Sequence, residues 1–389
     1  MCPPVFDDGP RDIVGGADYL VSQFEYLNRS DRDEAERVRD LVEELFSRYP
    51  AEAQDTLRTR LRSADDNQHM SAVFELVLHE LLLRAGCQIL AVEPSLEGTE
   101  RSPDFFAQTE TGARFYLEAT LATGRSRTQK GADRRLSEAL QAIDSVQSPD
   151  FFLDVHITGT PAAPVSGQRL RRRLEGWLQT LDYEQITAQG SDEAKARPQF
   201  TYEQHGARFR IAVIPRHQTR GTTERGRAIA GRMLAPLSVQ PQEPIRTAVL
   251  GKAGRYGDLD APYIVAVNAL STYAREDAAV DALFGTEVVS VRQTAEGFED
   301  RIGRDTDGVW YGPRGPVNTR VSGVLSTERL GPWSLGQRRA RLFVNPWARR
   351  PLAASPLAID VREVRDEWLH RTAGRSIAEL LELPEGWPE

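Results

Sequence analysis

The sequence predicts an α/β fold, a mixed sheet flanked by helices, with a helical N-terminal segment and a β-rich C-terminal extension. Three observations carry this. Residues 71–122 read as a buried helix, a strand and a two-stranded hairpin. Further on, APYIVAVNAL is a continuous apolar run between two helical patterns, the signature of a strand in a covered, partly parallel sheet. From about residue 291 the texture changes to short apolar runs broken by Gly and Pro. The expected division is a helical segment over residues 1–66, an α/β core over 67–290 and an extension over 291–389 packed on that core.

In chain order, Ser30 is the expected N-cap of a helix in DRDEAERVRDLVEELFSRY, whose first-turn acids favour the positive helix end. Val38, Leu41, Val42, Leu45 and Phe46 recur at helical spacing, and Pro50 stops the run. A polar helix, AEAQDTLRTRLRS, follows. SAVFELVLHELLLRAG is apolar nearly all round, so it belongs in the core, with Gly86 as its C-terminal cap. CQILAVEP reads as a strand, and SPDFFAQTETGARFYLEATLA as two strands around a turn at Thr111 and Gly112. After these come a helix in ADRRLSEALQAIDSV, a strand in FFLDVHITG, a helix in RRLEGWLQTL and a strand in FRIAVIP. ITAQGSDEAKARPQ and RHQTRGTTERGR read as loops, and the tail from Arg362 as helical, ending in IAELLEL.

Each of the three pieces of the 71–122 stretch carries a carboxylate at a telling place: Glu75, Asp104 and Glu118. Side chains alternate along a strand, so Tyr116, Glu118 and Thr120 share one face. An ionised carboxylate inside an apolar strand is expensive unless a partner or a cation compensates it. Asp104 opens the preceding strand directly after Pro103, and the hairpin can bring it to Glu118. Hard divalent cations take oxygen ligands and keep several waters, which suits one or two carboxylates beside a phosphate.

The order of these motifs, Glu75 on a helix, then Pro103-Asp104, then Glu118-Ala119-Thr120, resembles the PD-(D/E)xK phosphodiesterase superfamily over residues 70–123. The resemblance implies a restriction-endonuclease-like core that hydrolyses phosphodiester bonds with Mg2+ or Mn2+. Asp104 and Glu118 would bind the metal, and Glu75 would support the metal or its water. The chain departs from the family pattern in carrying Thr120 where a lysine is usual. A threonine donates a hydrogen bond but supplies no charge.

Lysine is scarce: only Lys130, Lys195 and Lys252 are present, so 46 of the 49 basic residues are arginine. Lys195 lies in a polar run and Lys130 in a basic connection. Lys252 precedes the most hydrophobic strand of the second half and has Tyr256 four residues on, on the same helical face. This pair is similar to a Gln-x-x-x-Tyr helix motif found in branches of the superfamily, and it makes Lys252 the preferred substitute for the missing lysine.

Composition sets the remaining bounds. With 40% apolar and 27% charged residues the 389-residue chain has ordinary globular composition. The N-terminal MCPPVFDDGPRD lacks the regions of a signal peptide, so a cytoplasmic location is expected, with no membrane partner. Two cysteines, Cys2 and Cys87, exclude a disulfide framework and a cysteine zinc site. A net charge of −8 speaks against nonspecific coating of nucleic acid, but local basic clusters at 125–135, 169–173 and 338–341 remain. Leu83 stands where a zinc-protease helix needs a second histidine after His79 and Glu80; phosphate-loop, serine-elbow and dinucleotide motifs are absent too. Asp154 and His156 on one strand face form a fallback pair, and acids paired with Arg101 or Arg114 are a purely structural alternative.

The expected function is a metal-dependent endonuclease acting on nucleic acid, DNA ahead of RNA, in phage defence or DNA repair. A homodimer or a partner protein of a defence system is compatible with it. The alternative is a nuclease-like module that binds nucleic acid or regulates without catalysis, for which Thr120 is the main support.

Overall fold

The computed structural model describes residues 2–123, 127–188, 197–217, 220, 228–234, 240–271, 273–294 and 297–389. The chain is mixed α/β and divides into two units. The first comprises Met1–Gly16, Ser22–Gly124 and Gln240–Glu389; the second comprises Ala17–Val21 and Arg125–Val239. This division differs from the sequence expectation of 1–66, 67–290 and 291–389. The texture change at 291 marks no boundary, because strands beyond it join the same sheet as the Glu118 strand.

In the first unit, helices α1 (Gln23–Arg29), α2 (Asp33–Ser47) and α3 (Ala51–Leu61) lead into α4 (Asp66–Arg84). Ser30 does not cap α2: it closes α1, its N–H donating to the Tyr26 carbonyl, and Arg32 precedes α2. The acids expected in the first turn of α2 are there, as Asp33, Glu34 and Glu36. α4 starts earlier than its apolar run, because the Asp65 carboxylate accepts the Asn67 N–H at 2.8 Å. It ends at Gly86, whose φ of +72° is the left-handed conformation that a side chain would strain.

The sheet has eight described strands in the order β1 (Gln88–Val92), β2 (Phe105–Gln108), β3 (Arg114–Ala122), β8 (Tyr263–Ala269), β13 (Gly323–Glu328), β14 (Arg341–Val344), β15 (Asp360–Arg365) and β16 (Trp368–Thr372). β3, β8 and β13 run parallel, as do β14 and β15; the other neighbours are antiparallel. Every residue of β8 is buried, as its unbroken apolar run requires. Alternation sorts β3 cleanly. Phe115, Leu117 and Ala119 join a core built with α2 and α4, while Tyr116 and Ala122 join a second core built with α8 (Gln242–Ala253) and α9 (Glu276–Phe284).

Two ribbons, β9 (Glu287–Thr294) with β10 (Gly297–Arg304) and β11 (Tyr311–Gly312) with β12 (Gly315–Pro316), lie between α9 and β13 in sequence. Residues Pro332–Gln337 form a 3-10 turn. The tail departs from the helical expectation: β15 and β16 occupy it first, and only α10 (Ile377–Leu381) is helical. Arg362, read as the start of a helix, is a buried strand residue whose guanidinium pairs with Glu276 at 2.6 Å. Trp310 is fully buried and packs edge-on against Phe284, in keeping with a core role. Cys87 is buried, and burial pushes its thiol up to about 11.

The second unit is a four-stranded sheet, β5 (Gln199–Gln204), β6 (Ala207–Pro215), β4 (Phe151–Thr158) and β7 (Ile229–Leu234) in that order. Helices α5 (Arg127–Asp144), α6 (Gly167–Leu178) and α7 (Tyr183–Ala188) share its core through Leu140, Ile143, Leu170, Leu174 and Ile186. β4 begins within Ser148–Phe152, which repeats the SPDFF of Ser102–Phe106. Lys195 and most of RHQTRGTTERGR lie outside the described residues.

Asn268 stands near the C-terminal end of the APYIVAVNAL run, a position from which it could face the acidic site. It does not, because its parity on β8 is opposite to that of Val265, the partner of Glu118. Its fully buried amide instead donates to the Leu330 carbonyl at 2.7 Å and accepts the Leu330 N–H at 2.9 Å. Asn268→Ala orphans both backbone groups, so urea denaturation should show a loss of roughly 2–4 kcal/mol; an unshifted midpoint contradicts this role.

Candidate active site

Asp104 and Glu118 are cross-strand neighbours by register. Phe105 pairs with Leu117, and one residue back Asp104 stands opposite Glu118. The ladder itself ends there. Asp104 Oδ2 accepts the Ala119 N–H at 2.6 Å, so a carboxylate replaces a strand carbonyl as acceptor.

Glu118 is 3% exposed on a strand whose neighbours are apolar. Its compensation arrives from far along the chain. Lys252 Nζ donates to Oε1, and the Tyr256 hydroxyl donates to Oε2 at 2.6 Å. Arg255 Nη1 stands 3.7 Å from Oε1. α8 ends at Ala253, so Tyr256 lies in the turn after the helix and not on its face. The two side chains still converge on one carboxylate, Lys252 from the last helical turn and Tyr256 from beyond it. Burial, with the nearby Glu118 charge, raises the Tyr256 hydroxyl well above its ordinary value, so it stays protonated and can only donate to a carboxylate.

Glu75 is buried in the middle of α4 and is held from the other side of the sheet. The Tyr49 hydroxyl donates to Oε1 at 2.7 Å, and Arg60 Nη2 pairs with Oε2 at 2.7 Å. The structural alternative therefore holds in part for Glu75, with Arg60 as the partner. Arg101 is exposed, and Arg114 bonds Gln108 instead. Burial raises the Glu75 carboxyl despite the opposing Arg60 charge. Neither Tyr49 nor Arg60 carries a local signal; only the packing of α2 and α3 against α4 brings them in.

His79, one turn after Glu75, does not bond it. Its ring packs at 4.8 Å from Tyr49 and 5.9 Å from Phe105, and Nδ1 has no hydrogen-bond partner among the described residues. Burial lowers it to about 4, so it is neutral at physiological pH. Thr120 is half-buried on the face of β3 that carries Glu118. Asp154 and His156 do pair, Nε2 to Oδ2 at 3.2 Å, on β4 in the second unit.

Asp104 feels both flanking acids. Burial, then the charges of Glu118 and Glu75, push its carboxyl well above the usual carboxylate range. Among the described residues no three His, Cys, Asp or Glu side chains gather as a cation cage. The donor set fits a hard cation in a narrower form. Asp104 Oδ1 accepts no hydrogen bond among the described residues, Glu118 lies opposite, and two carboxylates with water elsewhere satisfy such an ion. Glu75, with both oxygens engaged by Tyr49 and Arg60, is placed to support the site rather than to ligate.

Comparison of the chain with family models, with curated proteins and with solved structures returns no match.

The raised Asp104 carboxyl has a signed consequence for stability. The unfolded chain ionises near pH 3.9, whereas the folded chain keeps its proton to higher pH. Folded stability is thus fullest below the unfolded value and is lost as pH rises through the raised one. In EDTA, Asp104→Asn should match the wild type near pH 4 and exceed it increasingly toward pH 8 in thermal melts. A stability difference independent of pH contradicts the raised carboxyl.

Proposed function

We propose that this chain is a metal-dependent phosphodiesterase acting on nucleic acid, DNA ahead of RNA. The supporting observation is the convergence of Lys252 and Tyr256 on Glu118, 134 and 138 residues away in sequence. A lysine thus lies at the second acid although position 120 is threonine, and it comes from a different element.

Asp104 and Glu118 would hold the hard divalent cation, which when bound supplies Lewis-acid activation of water and of the phosphate. The protein's own groups do the positioning. Two adjacent carboxylates repel each other, which primes the pair for a cation. Lys252 Nζ neutralises one Glu118 oxygen and offers a positive charge where negative charge develops on the phosphoryl oxygens. Tyr256 fixes the orientation of the other oxygen. Tyr49 and Arg60 clamp Glu75, so its charge contributes to the field around Asp104 from a fixed position. Thr120 offers a hydrogen bond on the same strand face.

One observation favours a second reading, a nuclease-like module that binds nucleic acid without cleaving it. Both oxygens of Glu118 and both of Glu75 are already engaged by protein donors. Incubation with linear DNA, circular DNA and RNA in Mg2+ or Mn2+ separates the two. The expected result is cleavage by wild type, none by Asp104→Ala, and a loss of about 100-fold for Lys252→Ala. Equal cleavage by wild type and Asp104→Ala, or no cleavage of any substrate, overturns the enzymatic reading.

A further inference from the structure

A shallow, partly open recess adjoins the acidic site within the first unit, and Tyr256 and Tyr263 form part of its wall. Tyr256 faces both ways: its ring lines the recess and its hydroxyl holds Glu118. Three arginines, Arg320, Arg349 and Arg350, reach the same recess against one acid, Asp258. In a chain of net charge −8 this local excess of positive charge is a departure from the average.

The arginines are poorly satisfied by the protein. Arg320 is exposed and has no hydrogen bond or ion pair among the described residues. Arg349 gives Nε to the Thr319 hydroxyl at 3.1 Å, leaving its two terminal nitrogens without protein partners among those residues. Arg350 meets Asp258 at 3.3 Å, a solvent-exposed pair with side chains 39% and 58% accessible, and such pairs are worth little.

The backbones of Arg349 and Arg350, by contrast, are fixed, as is that of Val321, the residue after Arg320. The Ser322 hydroxyl, fully buried, accepts the Tyr263 N–H at 2.9 Å and donates to the Arg350 carbonyl at 2.5 Å. The Arg349 N–H donates to the Thr319 carbonyl at 2.7 Å, and Asn345 Nδ2 donates to the Val321 carbonyl at 2.7 Å. Rigid backbone carrying unspent guanidinium donors is the arrangement that receives phosphate oxygens, because the planar fork matches them in pairs.

We propose that this recess is a phosphate-binding subsite, taking a backbone or terminal phosphate of the strand whose neighbouring phosphodiester lies at Asp104 and Glu118. It deepens the proposed function and rests on that reading for the identity of the strand. Binding needs no divalent cation, so it is measurable apart from cleavage.

The test is fluorescence polarisation in EDTA with the full chain and single-stranded oligonucleotides bearing a 5′-phosphate or a 5′-hydroxyl, across a salt series. Arg320→Ala with Arg349→Ala should weaken binding at least tenfold and flatten the salt slope by about two, one per lost phosphate contact. Arg320→Lys should keep the salt slope, because the charge stays, but recover only part of the affinity, because the paired donors are lost, and Arg29→Ala, on α1 and paired with Asp12 and Glu25, should leave affinity and slope unchanged. Loss confined to the 5′-phosphorylated strand assigns a terminal phosphate; loss on both strands assigns the backbone. The subsite is overturned if the double variant binds with wild-type affinity and slope, or if the wild type binds neither strand. Wild-type binding that depends on these arginines but is never followed by cleavage sinks the phosphodiesterase reading and spares the subsite.

Discussion

The structure depends on one buried charge. Glu118 sits in the third strand of the sheet, where its neighbours along the strand are apolar, and a lone carboxylate there would lose its proton only at a large desolvation cost. Lys252 and Tyr256 remove that cost, and in doing so they fix how the last turn of α8 meets β3. The parallel pairing of β3 with β8 then sets the sheet order, because α8 connects directly into β8. Replacing a buried ion pair by apolar groups of similar size is often neutral or stabilising.

A second constraint follows from the first. Asp104 lies between two differently compensated acids, one clamped by Arg60 and Tyr49, the other by Lys252 and Tyr256. The β2 ladder stops at Phe105, which frees the Asp104 side chain to take the Ala119 N–H. A helix from one face of the sheet and a helix end from the other thus meet at a strand terminus. Their charges balance only in part, leaving Asp104 as the group with a raised carboxyl.

Much of this was legible in the sequence where the signal is local. Period-two alternation placed Glu118 and Thr120 on one face of β3, the turn at Thr111 and Gly112 joined the hairpin, and the unbroken run of β8 announced a covered strand. Lys252, singled out by scarcity and by its spacing to Tyr256, does lie against Glu118, although Tyr256 stands beyond the helix and not on its face. What was missed is long-range. Nothing local marks Arg60 or Tyr49 as partners of Glu75. The Gly- and Pro-broken texture after residue 291 did read as strands, but nothing local showed that β13 pairs with β8 and so joins the main sheet. Arg362 belongs to a strand because β14 lies beside it, although the following IAELL suggested helix for the tail from Arg362 on. The face that Asn268 takes follows only from its register relative to Val265, which nearness to the strand end does not reveal.

The most direct measurement is a double-mutant cycle on Glu118 and Lys252, read by urea denaturation at pH 7. Lys252→Met alone leaves the carboxylate buried without its cation and should cost about 3 kcal/mol or more. Adding Glu118→Gln should restore most of that loss, a coupling far outside additivity. If the two substitutions instead add, Glu118 draws no support from Lys252 and the account of the site fails.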